Sequence, residues 1–211
     1  SKPEESVVTH LAWSAKVDFD SKIVHGTATY NIESSNDAKR IVFDCRDLTI
    51  HAVTVDGKPT EFQLGAIQPF IGQPLSVPIE STAETVSITY STSPEASAFL
   101  WVDGDSPFLF TQSQAILART WIPCQDSPGV RFTYEADVRV AENLMALMSA
   151  VNPQVKTDDG HYHFVMDQPI PSYLLAMAVG NVEFRSVGEH TGVYATPDMI
   201  EAAAYEFSEM E

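Results

Sequence analysis

Apolar and polar side chains alternate with a period of two over residues 10–19 and again over residues 26–32, which is the pattern of β-strands with one buried face. Leu11, Trp13 and Val17 share the apolar side of one such series, and a second series that contains Tyr30 follows a turn signal at residues 20–22. Two alternating segments joined by a short turn predict a β-hairpin.

Further strands are predicted up to about residue 90. The apolar phase slips between Ile50 and Val53, as a β-bulge would produce, and Asp56-Gly57 is a turn signal. A short strand that contains Pro78 is expected at the edge of a sheet, because proline cannot donate a hydrogen bond to a ladder. This part of the chain is therefore predicted to form a layer of β-sheet.

The remaining apolar runs are separated by segments rich in Asn, Asp, Gly and Pro, which favour strands over long helices. From Pro197 the pattern changes, and Met199, Ala203 and Phe207 follow at helical spacing. We predict an all-β fold, with several mixed and antiparallel sheets packed as one β-rich domain over residues 1–196. Residues 197–211 are then the start of a short helix.

Composition and charge restrict the class of partner. The chain has 211 residues with 44% hydrophobic and 19% charged residues, which are ordinary values for a soluble domain, and it contains no apolar run of membrane length. Its 29 acidic and 12 basic residues give a formal net charge of -17, which repels nucleic acid and anionic lipid. The acidity is interpreted either as attraction of a cationic substrate or as a solvated surface.

Cys45 and Cys124 do not form a disulfide framework. A single bridge between them stays open, and small, partly buried thiols are the expectation. Cys124 is not expected to be a nucleophile, because no histidine lies between His51 and His161 to act as its base. No basic and apolar leader is visible at the amino terminus. The compartment therefore stays undetermined: the cytoplasm is slightly favoured, and export after removal of a signal peptide stays open.

The most informative segment runs from Phe108 to Arg139. Within it, Gln112 and Gln114 alternate on one side of a predicted extended segment, and Pro123 and Pro128 bracket a Cys-Gln-Asp-Ser sequence that is predicted to be a tight turn. In that turn, Asp126 can cap backbone donors, and Arg119 is available as its charge partner. Taken alone, the two glutamines would be interpreted as solvent-facing residues of an edge strand.

His161 and His163 alternate onto one face of a predicted strand and make half of a zinc site at most. The neighbouring acids Asp158 and Asp159 fall in a turn, so exposed hairpin residues are the preferred interpretation. No catalytic residue and no metal ligand is therefore predicted within these 211 residues.

The Gln-x-Gln-Ala sequence at 112–115 and the Pro-Cys-Gln-Asp-Ser-Pro sequence at 123–128 resemble the N-terminal domain of the M1 family of zinc aminopeptidases. The resemblance is strongest to the branch that contains leukotriene A4 hydrolase and its bacterial aminopeptidase relatives, and it extends through LMALMSA at 144–150, YLLAMAVGNV at 173–182 and YEFSE at 205–209. The family's His-Glu-x-x-His zinc signature, its downstream glutamate ligand and its Gly-x-Met-Glu-Asn motif do not occur in the chain.

The resemblance implies the N-terminal domain of an enzyme that removes N-terminal residues from peptides. Its partners would be the amino terminus of a peptide and the enzyme's own catalytic domain, which would supply the zinc and the general base. Many M1 enzymes carry glutamate where this chain has Gln114, and the leukotriene hydrolase branch carries glutamine. By this resemblance Gln114 contacts the amino end of the substrate, Gln112 lies beside it, and Ala115 shapes the pocket wall.

This domain alone is expected to hold no catalytic zinc and to hydrolyse no peptide, and an epoxide hydrolase side activity of the whole enzyme stays open. The alternative is a freestanding β-sandwich module that binds glycans or proteins. The two hypotheses differ near Phe108 and Phe110. A pocket wall should leave an apolar patch exposed there, whereas a binding module should have a finished groove with a polar rim.

Overall fold

The computed structural model describes residues 1–104 and 106–211, and most of the regular structure in these residues is β-strand. The strands of the first half are β1 (Ser6–Asp18), β2 (Ile23–Ser34), β3 (Arg40–Cys45), β4 (Thr49–Val55), β5 (Lys58–Pro59), β6 (Gln63–Leu64), β7 (Gln73–Pro78) and β8 (Thr85–Ser91). The strands of the second half are β9 (Phe99–Val102), β10 (Phe108–Thr111), β11 (Arg131–Arg139), β12 (Met145–Met148), β13 (His161–Pro171), β14 (Met177–Gly180), β15 (Glu183–Ser186) and β16 (Gly192–Ala195). Single 3₁₀ turns lie at Ala118–Thr120 and Ser172–Leu174, and a helix, α1, spans Ile200–Glu206.

The largest sheet has seven strands in the order β13-β11-β1-β2-β8-β4-β5. Strands β1 and β2 form the predicted hairpin, with Trp13 opposite Ala28. Strand β1 pairs in parallel with β11, while its pairing with β2 is antiparallel, so the sheet is mixed as predicted. The predicted bulge is confirmed as a shift in register between Ile50 and Ala52, where β4 pairs with β8.

Three smaller sheets complete the fold, in the strand orders β12-β14-β10-β9, β3-β7-β6 and β15-β16. The edge position predicted for the strand with Pro78 is wrong, because β7 is the central strand of the three-stranded sheet. Proline is tolerated there because β6 pairs only with Leu75 and Ser76, so Pro78 has a ladder neighbour on one side alone.

One continuous hydrophobic core joins the seven-, four- and three-stranded sheets. The rings of Trp13 and Trp121 meet edge to face with their centroids 5.4 Å apart, and Tyr30 packs on Phe43 at 5.2 Å. The polar atoms of these rings are satisfied, since the Tyr30 hydroxyl donates to the carbonyl of Pro123 at 2.6 Å. The all-β fold with shared packing between sheets is therefore confirmed.

The helical pattern predicted from Pro197 corresponds to α1, which begins at Ile200 and packs beside β15 and β16 through buried Ile200 and an ion pair between Arg185 and Glu201 at 2.6 Å. None of the helices within the described ranges is long and apolar enough to cross a membrane. The division of the chain at residue 196 stays a prediction.

Substitution of two glycines with positive φ distinguishes the cost of steric crowding from the cost of backbone strain. Gly160 is buried with φ +65°, and a Cβ there would overlap the carbonyl oxygen of Val140, whereas Gly57 has φ +74° and open space around it. We expect Gly160→Ala to lower the free energy of unfolding by about 3 kcal/mol and Gly57→Ala by about 1 kcal/mol. Urea unfolding of both variants measures this difference, and equal losses would contradict the packing argument.

Candidate functional site

The two glutamines follow the end of β10, an inner strand of the four-stranded sheet. Strand β10 stops at Thr111, so the extended segment predicted through Gln114 ends earlier than expected, and Gln114 lies in a turn. The backbone N–H of Gln112 donates to the carbonyl of Ala98 at 2.8 Å. The N–H of Gln114 donates to the side-chain oxygen of Gln112 at 3.0 Å, so Gln112 holds the turn that presents Gln114.

Ser113 lies buried between two exposed glutamines and fixes the turn to the core. Its hydroxyl donates to the carbonyl of Leu175 at 2.7 Å and accepts the indole N–H of Trp121 at 3.1 Å. The peptide bond after Gln114 is cis. The anchoring role of Ser113 was not predicted, although the alternation that directs both glutamines outward also directs the residue between them inward.

Gln114, Ala115 and Ile116 are exposed on consecutive positions of this turn. Within the described part of the chain the Gln114 carboxamide makes no hydrogen bond, so its oxygen and its NH₂ group both face solvent unengaged. A carboxamide carries one acceptor oxygen and two donor hydrogens. The turn therefore presents one neutral hydrogen-bonding group at the surface, held from behind by Ser113.

An apolar patch adjoins the turn on the outer face of the four-stranded sheet. It consists of Leu147, Ala178, Phe110 and Leu100, which lie side by side on the four strands, and Val102 continues it. Phe110 is 38% exposed and Leu100 50% exposed, values that are high for large apolar side chains.

A cavity of about 280 Å³ opens on this patch. Its lining includes Phe110, Leu147 and Met177, and it contains none of the glutamines and no charged residue of the described chain. The hydroxyl of Thr111 in its wall is engaged by the N–H of Met177 at 2.9 Å. The surface therefore has the exposed apolar character expected of a pocket wall, without the polar rim of a finished groove.

A buried ion pair lies behind the turn. The Nε of Arg119 donates to Oδ2 of Asp126 at 2.9 Å, and both side chains are almost fully buried. Ser172 donates to the other carboxylate oxygen at 2.6 Å, and the N–H of Asp126 donates to Asp44 at 3.0 Å. The predicted charge partnership between this arginine and this aspartate is confirmed.

The tight turn predicted between Pro123 and Pro128 is wrong in position. Cys124 makes an antiparallel bridge with Asp44, with its carbonyl accepting the N–H of Asp44 at 2.7 Å. The chain turns after Cys124, where the N–H of Ser127 donates to the carbonyl of Gln125 at 2.9 Å and the N–H of Val130 donates to the carbonyl of Ser127 at 3.1 Å. A segment distant in the sequence therefore holds Cys124 extended, and the turn begins later than predicted.

Both cysteines are free and fully buried, as small interior thiols rather than nucleophiles. Burial raises the pKa of Cys45 and of Cys124 above the ordinary thiol value, and nearby carboxylates act in the same direction. The neutral thiol therefore predominates in the folded chain.

His161 and His163 face the same carboxylate. His161 Nε2 lies 3.0 Å and His163 Nδ1 3.2 Å from one oxygen of Asp137 on the neighbouring strand. Both histidines are therefore engaged by a carboxylate on the surface of the sheet. Over residues 1–104 and 106–211, no group of three or more His, Cys, Asp or Glu side chains is arranged to hold a metal ion.

The model of the peptidase M1 N-terminal domain family matches residues 7–174. The chain belongs to this family. Leukotriene A-4 hydrolase of Xenopus laevis is 36% identical over the whole of this chain and 37% of its own length. Leucine aminopeptidase 2-1 of Scheffersomyces stipitis is 32% identical over 96% of this chain and 32% of its own length.

Solved structures agree with this membership. The native yeast LTA4 hydrolase superimposes with a TM-score of 0.90 at 26% identity, covering 99% of this chain and 34% of the yeast chain. An M1 zinc metallopeptidase of Deinococcus radiodurans, at 20% identity and a TM-score of 0.71, shares the fold over 90% of this chain and 46% of its own.

The chain thus spans about a third of the length of the curated relatives that it matches. The family match supports an M1 peptidase N-terminal domain of the leukotriene hydrolase and aminopeptidase group, and it does not support a freestanding glycan- or protein-binding module.

The buried ion pair gives a stability prediction. Asp126→Asn removes the closest negative charge from the buried guanidinium of Arg119, and among residues 1–104 and 106–211 it leaves only Asp44, at 4.0 Å, to compensate that charge. We expect a loss of about 3 kcal/mol in the free energy of unfolding, since breaking a buried pair strands one charge. Arg185→Gln removes an exposed pair and should change that energy by less than about 1 kcal/mol. Guanidinium chloride unfolding compares the two, and similar losses would rule out the proposed importance of burial.

Proposed function

We propose that this chain forms one wall of the substrate pocket of a zinc-dependent aminopeptidase that removes N-terminal residues from peptides. The observation that carries the proposal is the exposed, unengaged Gln114 carboxamide beside an apolar patch, on a domain of the peptidase M1 family. Two of the relatives are named as a leukotriene hydrolase and a leucine aminopeptidase.

Gln114 has the chemistry to recognise a peptide amino terminus. An ammonium group offers three hydrogens and no acceptor, so it is recognised by oxygens that accept hydrogen bonds. The oxygen of Gln114 would accept one of these hydrogens. Because an amide is neutral, this bond is weaker than the bond to a carboxylate, and the remaining recognition would come from acidic groups elsewhere in the enzyme.

Gln112 and Ala115 have supporting roles in this proposal. The oxygen of Gln112 is engaged by the N–H of Gln114, so its remaining NH₂ group would face the pocket beside the substrate. Ala115 is exposed and small, and it would leave room for the first residue of the peptide at the pocket wall.

The catalytic zinc and the general base would come from residues outside this chain, because the family's His-Glu-x-x-His signature does not occur in it. A bound zinc would polarise the scissile carbonyl and activate water. This domain alone would therefore hydrolyse no peptide. The epoxide hydrolase side activity that the family resemblance leaves open would also depend on residues outside the chain.

The apolar patch around Phe110 and Leu100 would be covered by the enzyme's own catalytic domain. Both side chains are more exposed than large apolar side chains usually are in a folded protein. Their burial against a second domain would stabilise the interface between the two domains. The peptide would then bind between the two domains, with Gln114 on one side.

The test is Gln114→Ala in the whole enzyme. We expect kcat/KM for an aminoacyl reporter to fall about tenfold, as the loss of one hydrogen bond to a charged group predicts, with the zinc content unchanged. Gln114→Glu should keep kcat/KM at or above the wild-type value, because the carboxylate restores a charged acceptor.

Gln168→Ala, an exposed glutamine on β13, is the matched control and should leave kcat/KM unaltered. Unchanged kcat/KM in Gln114→Ala would refute the substrate role. A loss shared equally by the control would show that the effect is not specific to the turn.

A further inference from the structure

A row of basic side chains crosses the open face of the seven-stranded sheet. The row consists of His161, Arg139, Lys16, His25 and His51, on strands β13, β11, β1, β2 and β4 respectively. Register places four of them side by side: Arg139 lies opposite His161 and Lys16, and Lys16 also lies opposite His25. Ser91 of β8 lies between His25 and His51. The end of the row at His51 is held by its hydrogen bond to the Ser91 hydroxyl at 3.0 Å.

This basic row is unusual on a chain of formal net charge -17, where carboxylates outnumber basic groups. Lys16 and Arg139 are paired across the parallel ladder of β1 and β11, whose strands lie about 5 Å apart, so their like charges repel each other. Among the described residues neither cation has an ion-pair partner. Two unpaired cations side by side lower the folding stability of the free protein. A bound anion would offset their repulsion, so the pair is expected at an anion site.

A shallow cavity of about 240 Å³ lies over the row. Lys16, Arg139, His25 and His51 all line it, and the hydroxyl residues Ser14, Thr27 and Thr89 stand beside them in the same wall. An ammonium, a guanidinium and hydroxyl groups are the donors that bind tetrahedral oxyanions, and a guanidinium can engage two oxygens at once.

Two carboxylates next to the row make hydrogen bonds, and one of them, Asp137, is bound by His161 of the row itself. One oxygen of Asp137 is shared by His161 and His163, and Asp18 accepts two backbone N–H groups of the turn that follows it. The bonds from the turn, with that of Ser21 the strongest cause, lower the pKa of Asp18, and the nearby charge of His25 acts in the same direction.

A neighbouring cavity of about 620 Å³ shares Lys16 and Arg139 and is lined on another side by Asp18, Asp20 and Asp159. The two cations thus divide a basic cavity from an acidic one. A ligand in the basic cavity meets donors, whereas an anion in the larger cavity would meet carboxylates as well.

We propose that the cavity over the basic row binds a small soluble anion that carries a phosphate group. The charge of the whole chain repels extended polyanions such as nucleic acid or an anionic membrane. A small anion inside the cavity feels mainly the charges within a Debye length, which is about 8 Å at physiological ionic strength. This ligand site is separate from the Gln114 turn and does not depend on peptidase activity.

The test is calorimetric titration of the natural protein with inorganic phosphate and with pyrophosphate at constant ionic strength. We expect saturable binding that weakens at least about tenfold in the Lys16→Gln/Arg139→Gln double variant, since two charge-assisted contacts are lost. The control is Arg131→Gln/Lys39→Gln, which removes the same two charges. Arg131 is exposed and lies eight residues before Arg139 on β11, roughly 26 Å away at the rise of a strand.

The control double variant should bind pyrophosphate as the wild type does, and the melting temperature of Lys16→Gln/Arg139→Gln in phosphate-free buffer should be no lower than that of the wild type. Absence of saturable binding, or equal weakening in both double variants, would overturn the proposal. So would binding only to phosphatidylcholine vesicles that contain phosphatidic acid, since the ligand would then be a lipid surface.

Discussion

The buried pair between Arg119 and Asp126 connects segments that are far apart in the sequence. Besides the aspartate, Arg119 donates to the carbonyl of Ile71 at 3.1 Å, and its own carbonyl accepts the N–H of Arg46 at 2.9 Å. Because a buried charge must be fully paired, these partners have little freedom to move. The 3₁₀ turn at Ala118–Thr120 is thereby fixed to the three-stranded sheet. The exposed turn that carries Gln114 directly precedes it, so its position is fixed as well.

A neighbouring glutamine extends this connection to the large sheet. Gln125 is fully buried, its oxygen accepts the N–H of Val8 at 3.1 Å, and its NH₂ group donates to the carbonyl of Ser6 at 2.8 Å. A side chain thus replaces a strand neighbour at the start of β1, close to the bulge between Val8 and His10. Gln125 therefore has a structural role: its side chain satisfies backbone N–H and C=O groups in the interior.

The sequence predicted the features that depend on neighbouring residues. The hairpin of β1 and β2, the bulge near Ile50 and the helix after Pro197 follow from local periodicity and turn chemistry. The central position of Pro78 and the extended conformation around Cys124 depend on partners about forty and eighty residues away, which no local pattern contains.

The same contrast between local and long-range information applies to the Gln114 turn, the apolar patch and the basic row. The glutamines were found through a family resemblance. Of the two phenylalanines expected at an exposed apolar patch, Phe110 belongs to it and Phe108 is half-buried. The basic row was not found, because its members lie on five strands and appear isolated in the sequence. Only the parallel register of β1 with β11 brings Lys16 beside Arg139.

That parallel pairing also affects how the chain reaches its native state. Strands β1 and β2 can form a hairpin early, but the outer edge of β1 has no neighbour until β11, more than a hundred residues later, has been synthesised. Long-range pairing of this kind slows folding, and an unprotected strand edge is a template for aggregation. During translation the nascent sheet therefore exposes a thirteen-residue strand for the time that a ribosome needs to complete most of the domain.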